Sequence, residues 1–99
     1  MDYAKEFKEA CEKNTLNNAA SIYNDWLDED SRLDDANFYL AGTILFGAKA
    51  MSENDKKSFD VMKTYYEESL KKKPSDPSLY DWYQETADKI VINFARVKK

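Results

Sequence analysis

Only four of the 99 residues are Gly or Pro, and both glycines fall inside one uncharged stretch. Tight turns favour these residues, because Gly reaches positive φ freely and Pro presets the first turn angle. A strand-rich fold of this length needs many such turns. Their scarcity therefore predicts an all-α fold: a few long helices joined by short polar connections.

The uncharged stretch is ANFYLAGTILFGA, residues 36 to 48, in a chain of which 34% is charged. Asp34 and Asp35 precede it and Lys49 follows it. A membrane-spanning helix needs roughly 20 apolar residues, so this segment is too short to cross. The opening MDYAKEFKEA alternates charges and has no apolar signal core. A cytoplasmic protein with no membrane contact is expected. The length corresponds to one domain, residues 1–99. Met1 favours a whole protein over a trimmed domain.

Apolar spacing predicts five helices, over about residues 2–13, 16–29, 33–51, 54–73 and 77–97. The first places Tyr3, Phe7, Ala10 and Cys11 on one side, and Asn14 or Thr15 is available to cap the second. The second carries a broad stripe of Leu16, Ala19, Ala20, Ile22, Tyr23, Trp26 and Leu27. Ser31–Asp34 and Ser52–Asp55 read as Ser-x-x-Asp start signals for the third and fourth helices. The third is apolar nearly all round. The fourth is expected to bury Phe59, Met62, Tyr66 and Leu70 and to stop at Pro74. Asp76-Pro77 is a strong start for the fifth: Asp caps, and Pro suits the first helical position. Its stripe is Leu79, Trp82, Tyr83, Ala87, Ile90, Phe94 and Val97, with Ile92 on the opposite side. Joints this short predict antiparallel neighbours.

The stretch YYEESLKKKPSDPSLYDWY, residues 65 to 83, resembles the join between two tetratricopeptide (TPR) repeats. Tyr66, Ser69 and Pro74 match its aromatic, small and proline positions, and Tyr80 and Tyr83 the large residues that open the next helix. Upstream, FYLAGTIL resembles a first TPR helix, with Phe38 where Trp is usual, Ala41 where Leu is usual, and Gly42 at the glycine. The separation of Gly42 from Pro74 is 32 residues. That is about eight more than a repeat of about 34 residues allows, so the helices or the joint near Ser52 must be longer. The resemblance implies a right-handed array of helical hairpins over residues 36 to 83. An irregular bundle of four or five helices is the alternative.

Chemistry is sparsely provided for. The chain has no histidine, which removes the commonest general base and metal ligand. Cys11 is the single cysteine, so it makes neither an internal disulfide nor a thiolate metal site. It reads as a small hydrophobe of the first helix. No Gly-rich phosphate loop exists, since both glycines lie in the third helix. DWLDEDSRLDD lacks the central Gly of a calcium loop, and the twelfth position from Asp28 is Tyr39 rather than Glu. No enzyme, cofactor or metal site is expected. The net charge is −4 and no basic stripe with interleaved aromatics is present, so no direct nucleic-acid binding is expected either.

Two functions fit what is left. The first is a non-enzymatic protein-interaction module, adaptor- or chaperone-like, that binds a peptide or helix of another protein. On a helical wheel Tyr39, Thr43, Phe46 and Ala50 share one face of the third helix, which the TPR resemblance implies is the groove-facing side. The alternative is a small acidic inhibitor or decoy, of the kind carried by phages and mobile elements. It would cover a basic site on its target with Asp25, Asp28, Glu29, Asp30, Asp34 and Asp35, which only Arg32 opposes. A homodimer through the long fifth helix, with Ile92 at the contact, is a third arrangement.

Overall fold

Aspartates mark the starts of four helices. In a computed structural model, which describes residues 2–13 and 16–97 (the last three by backbone alone), the chain folds into five α-helices. They are α1 (Tyr3–Glu12), α2 (Leu16–Trp26), α3 (Ala36–Glu53), α4 (Lys56–Ser69) and α5 (Pro77–Val97), with a short 3-10 helix at Asp30–Asp34. The protein is all-α. The caps foreseen at Asn14 or Thr15, and the Val97 side chain of the fifth stripe, lie outside what is described.

Each observed cap is a carboxylate that accepts from a first-turn backbone N–H, the ordinary way to satisfy one of the open donors there. Asp2 accepts from Lys5 N at 3.1 Å, Asp35 from Asn37 N at 2.9 Å, Asp55 from Lys57 N at 3.0 Å and Asp76 from Ser78 N at 3.1 Å. Two start positions therefore differ from the Ser-x-x-Asp reading. Helix α3 is capped by Asp35, not Ser31, and α4 by Asp55, not Ser52. Asp is itself a good cap, and α3 runs on through Ser52 to Glu53 before Asn54 turns it off at φ 51°. Helix α2 stops at Trp26, three residues short of the predicted end. Asp25, Asp28, Glu29 and Asp30 oppose the negative end of its dipole, and the chain turns into the 3-10 helix instead. Helix α4 also ends early, at Ser69, which leaves Leu70 exposed rather than buried.

Contacts fix the directions. Tyr3 stacks on Trp26 and Phe7 packs on Tyr23, so α1 and α2 are antiparallel. Phe38 meets Tyr65, whereas Gly47, further along α3, lies near the earlier Met62, so α3 and α4 are antiparallel too. Phe59 packs on Phe94, and the Tyr66 hydroxyl donates to Asp88 at 2.8 Å, which makes α4 and α5 antiparallel. It follows that α3 and α5 run in the same direction.

Helix α3 is the axis of this arrangement, with α4 as its most extensive neighbour and contacts to α1, α2 and α5 as well. Its glycines permit the close approach. A Cβ at Gly42 would run into the Tyr65 ring and come within 2.6 Å of the Tyr23 hydroxyl, and one at Gly47 would strike Ile90. Helix α1 meets α5 beside it: Phe7 stacks on Tyr83 at 6.0 Å, and the Tyr83 hydroxyl donates to the Ala4 carbonyl at 2.6 Å. At the start of α3 the segment after α4 crosses over, and Ala36 N donates to the Lys73 carbonyl at 2.9 Å. The Asp35 carboxylate caps α3 and accepts from Ser75 N at 2.9 Å and Ser75 Oγ at 2.6 Å. Asn37, fully buried, donates to the Asp76 carbonyl at 3.1 Å. Buried polar groups are expensive unless bonded; the Asp35 carboxylate and the Asn37 amide N–H are bonded and tie two distant segments together, while Asn37 Oδ1 has no partner among the described residues.

Candidate interaction site

The stripe of α2 is too broad for one neighbour, and it splits. Ala19, Ile22 and Trp26 belong to the core shared with α1. Leu16, Ala20 and Leu27 turn the other way and, with Asn17, Asn24 and the edge of the core residue Tyr23, form one wall of a groove of about 400 Å³. Leu45 and Phe46 of α3 and Tyr65 of α4 make its floor, and Lys49, Ser52 and Glu53 stand at the end of α3. Leu16 and Leu27 remain 42% and 37% exposed, although both belong to an apolar surface. Phe46 and Tyr65 meet edge to face at 5.7 Å, and Tyr23 and Phe46 at 6.2 Å, so the aromatic floor is braced from both sides.

The Tyr23 hydroxyl is buried and has no hydrogen-bond partner among the described residues. Burial, then the neighbouring Tyr65, raises its pKa far above the ordinary tyrosine value. It stays a neutral phenol at any physiological pH.

The four residues expected on one partner-facing side of α3 have separate fates. Phe46 lines the groove and is half-buried. Tyr39 is half-buried behind Tyr65, edge-on to it at 5.6 Å, with its hydroxyl donating to the Leu33 carbonyl at 3.4 Å. Thr43 is fully buried, and its hydroxyl donates to the Tyr39 carbonyl at 2.9 Å, so it presents nothing to a partner. Ala50 is also buried, at a separate notch of about 220 Å³ with Met51, Asn54, Asn93 and Phe94. A wheel treats a helix face as one continuous line. In the fold, side chains from neighbouring helices cover that line at some turns and leave it open at others.

The sequence reading missed the contributions of Leu16, Ala20, Leu27 and Tyr65 to the groove. The signal was the width of the α2 stripe, which exceeds what one packing partner can cover.

The acidic segment divides in the same manner. Asp25, Asp28, Glu29, Asp30 and Asp34 are exposed, and none of them forms an ion pair among the described residues. The Arg32 guanidinium donates to the Glu29 backbone carbonyl at 2.9 Å rather than to a carboxylate. Asp35 is the exception: it is 6% exposed and committed to Asn37 and Ser75. It holds the fold and is withdrawn from any acidic surface. Around Tyr3, burial and then Glu29, Asp25 and Asp28 push the hydroxyl pKa up, which places those carboxylates along the end of α2 beside α1.

Cys11 is partly buried, and burial with help from Glu12 pushes its thiol up to about 11. A thiol held protonated at neutral pH is a poor nucleophile. Among the described residues no three His, Cys, Asp or Glu side chains are grouped as metal ligands, and no helix is long and apolar enough to cross a membrane.

The fold and site together define a small helical protein with an open groove between α2 and the α3–α4 hairpin. Comparison with known protein families, characterised proteins and solved structures finds no match to this chain.

Proposed function

We propose that this chain is a non-enzymatic protein-interaction module that takes a peptide or helix of another protein in the groove between α2 and the α3–α4 hairpin. The observation that carries the reading is the groove itself. Its floor of Leu45, Phe46 and Tyr65 is largely apolar, its α2 wall sets Leu16, Ala20 and Leu27 beside Asn17 and Asn24, and the rim residues Leu16 and Leu27 stay exposed. Concave, largely apolar sites with a few polar groups are where proteins take ligands. Helices dock in such grooves through apolar anchors three and four residues apart.

A TPR-like arrangement of residues 36 to 83 belongs to the same proposal. In its support, α3 and α4 form the most extensive hairpin, and α5 runs parallel to α3 as the first helix of a following hairpin would. The extra length between Gly42 and Pro74 falls partly in α3, which spans 18 residues. The contact of α1 with α5 is what an irregular closed bundle would have. A cytoplasmic setting suits the single free thiol.

The test is affinity capture with Phe46→Asp beside the unaltered chain, read by mass spectrometry at low salt and at about 0.5 M salt, where exposed charge pairs are screened. A stoichiometric partner retained at high salt and lost with Phe46→Asp is the expected result. The five exposed, unpaired carboxylates favour a second reading, the acidic decoy. A partner that binds Phe46→Asp normally but leaves at high salt would establish that reading and remove the first.

A further inference from the structure

Helix α2 differs from the other helices in what it shows to solvent. From Leu16 to Asn24 it carries no charged residue, yet Leu16, Asn17, Asn18, Ser21 and Asn24 are all exposed. Every other helix has Lys, Asp or Glu among its exposed residues. Leu16 and Leu27 lie eleven residues apart, about three turns or 16 Å, and so fall on one face of the helix. Ala20 shares that face, and all three line the groove. Tyr23 packs on Phe46 and Trp26 on Phe38, so α2 runs antiparallel to α3. The Leu16 end of the groove is therefore the end at which Lys49, Ser52 and Glu53 stand. Lys49 is exposed and forms no ion pair among the described residues.

A chain of net charge −4 repels its own copies, and a neutral face is where two of them can meet. The centres of protein interfaces are likewise poor in charged residues. We infer that two copies of this chain pair through the groove about a two-fold axis, α2 antiparallel to α2, each copy's Leu16, Ala20 and Leu27 covering the other's floor of Phe46 and Tyr65. Two-fold contacts must be self-complementary, and this face is. Leu16 meets the partner's Leu27 and Leu27 the partner's Leu16, while Ala20, between them, lets the helices approach. The exposed carboxamides of Asn17 and Asn24 both donate and accept, which suits a surface that meets itself. Charge selects the orientation. The antiparallel pair brings the exposed Asp25 and Asp28, at the end of α2, towards the partner's Lys49, and does so twice. A parallel pair would set the two acidic ends side by side. Glu53, one turn beyond Lys49, is the like charge that Lys49 must outweigh. The inference goes beyond the proposed function, because the occupant is a second copy rather than a different protein, and the two would compete for one groove.

Sedimentation equilibrium of the purified full chain, from about 10 µM to about 500 µM, covers the range in which a small interface associates. The expected result is a reversible shift from the 11.5 kDa monomer to twice that mass. Leu16→Asp and Leu27→Asp should each weaken the dimer at least about tenfold, since each puts an unpaired charge into the contact twice. Circular dichroism confirms that each variant is folded. Lys49→Glu should weaken it about fivefold, on the scale of two exposed ion pairs, and Lys49→Glu with Asp28→Lys should restore it. Ile92→Asp, on α5, should change nothing. A monomer at every concentration overturns the pairing and leaves the groove free for a different protein. A dimer lost with Ile92→Asp but kept with Leu16→Asp overturns it in favour of contact through α5. A dimer weakened by the leucine variants but not restored by the charge exchange overturns the antiparallel orientation.

Discussion

The two halves of α3 share one uncharged sequence and live in different surroundings. In the first half, from Ala36 to Ile44, every residue but Tyr39 is buried. Phe38 stacks on Tyr23 at 4.9 Å and meets Trp26 edge-on at 5.5 Å, and Asp35 and Asn37 tie the helix start to Ser75 and Asp76. In the second half only Gly47 and Ala50 are buried, while Phe46 floors a groove and Lys49, Met51, Ser52 and Glu53 face outward. One half is closed by aromatic stacking and by the hydrogen bonds of Asp35 to Ser75 and of the Asn37 amide N–H to Asp76. The other is closed on the sides of α4 and α5 and left open towards α2. A helix apolar all round is thus not uniformly core: its second half stays open on one side.

That contrast can be broken by substitution. Phe38→Ala removes the ring at the centre of the closed half and should cost about 4 kcal/mol, in the range for buried aromatics. Against a total of about 5–15 kcal/mol for a small domain, much of the stability would go, visible as a large drop in the urea midpoint. Asp35→Ala should cost about 3 kcal/mol, since it removes a cap and also leaves the Ser75 groups and Asn37 N without their charged acceptor. A loss no larger than that of an ordinary exposed cap would mean that the link to Ser75 adds nothing.

Alkaline titration sharpens the comparison from the same side. Burial raises the pKa of Tyr23 and Tyr83 well above the ordinary 10.0, and raises Cys11 from 9.0 to about 11. The unfolded chain therefore releases these protons first as pH rises. Stability should hold below about pH 9 and fall progressively above it, because the native state is then the one that binds more protons. Equilibrium unfolding followed from pH 7 to 11 checks the sign. Leu16→Asp, on the rim of the open half, is the smallest effect: within about 0.5 kcal/mol of the unaltered chain, as for surface substitutions generally. A loss comparable with Phe38→Ala would make the groove wall part of the core and end the distinction between the halves.

Much of the fold could be read from particular residues. Asp76-Pro77 placed the start of α5 to the residue, and the periodic stripes located all five helices. The ends of α2 and α4 were misjudged because helix ends depend on dipole interactions and on where the chain must go next, not on apolar spacing alone. The candidate site was less legible. Phe46 was identified from its face on α3, but Thr43 and Ala50 share that face and are buried. Asp35 counted with the acidic segment until its carboxylate was seen bonded to a serine 40 positions away.

What the sequence determined by itself is local: helix content from the lack of turn formers, caps from aspartates, and an apolar segment too short to span a membrane. These follow from interactions among residues a few positions apart. Which side of α3 is sealed, which half of the α2 stripe is left over, and which carboxylates face solvent were decided only by tertiary structure. Each depends on a neighbour far away in the chain, and hydropathy records how much apolar surface a segment carries without recording what covers it.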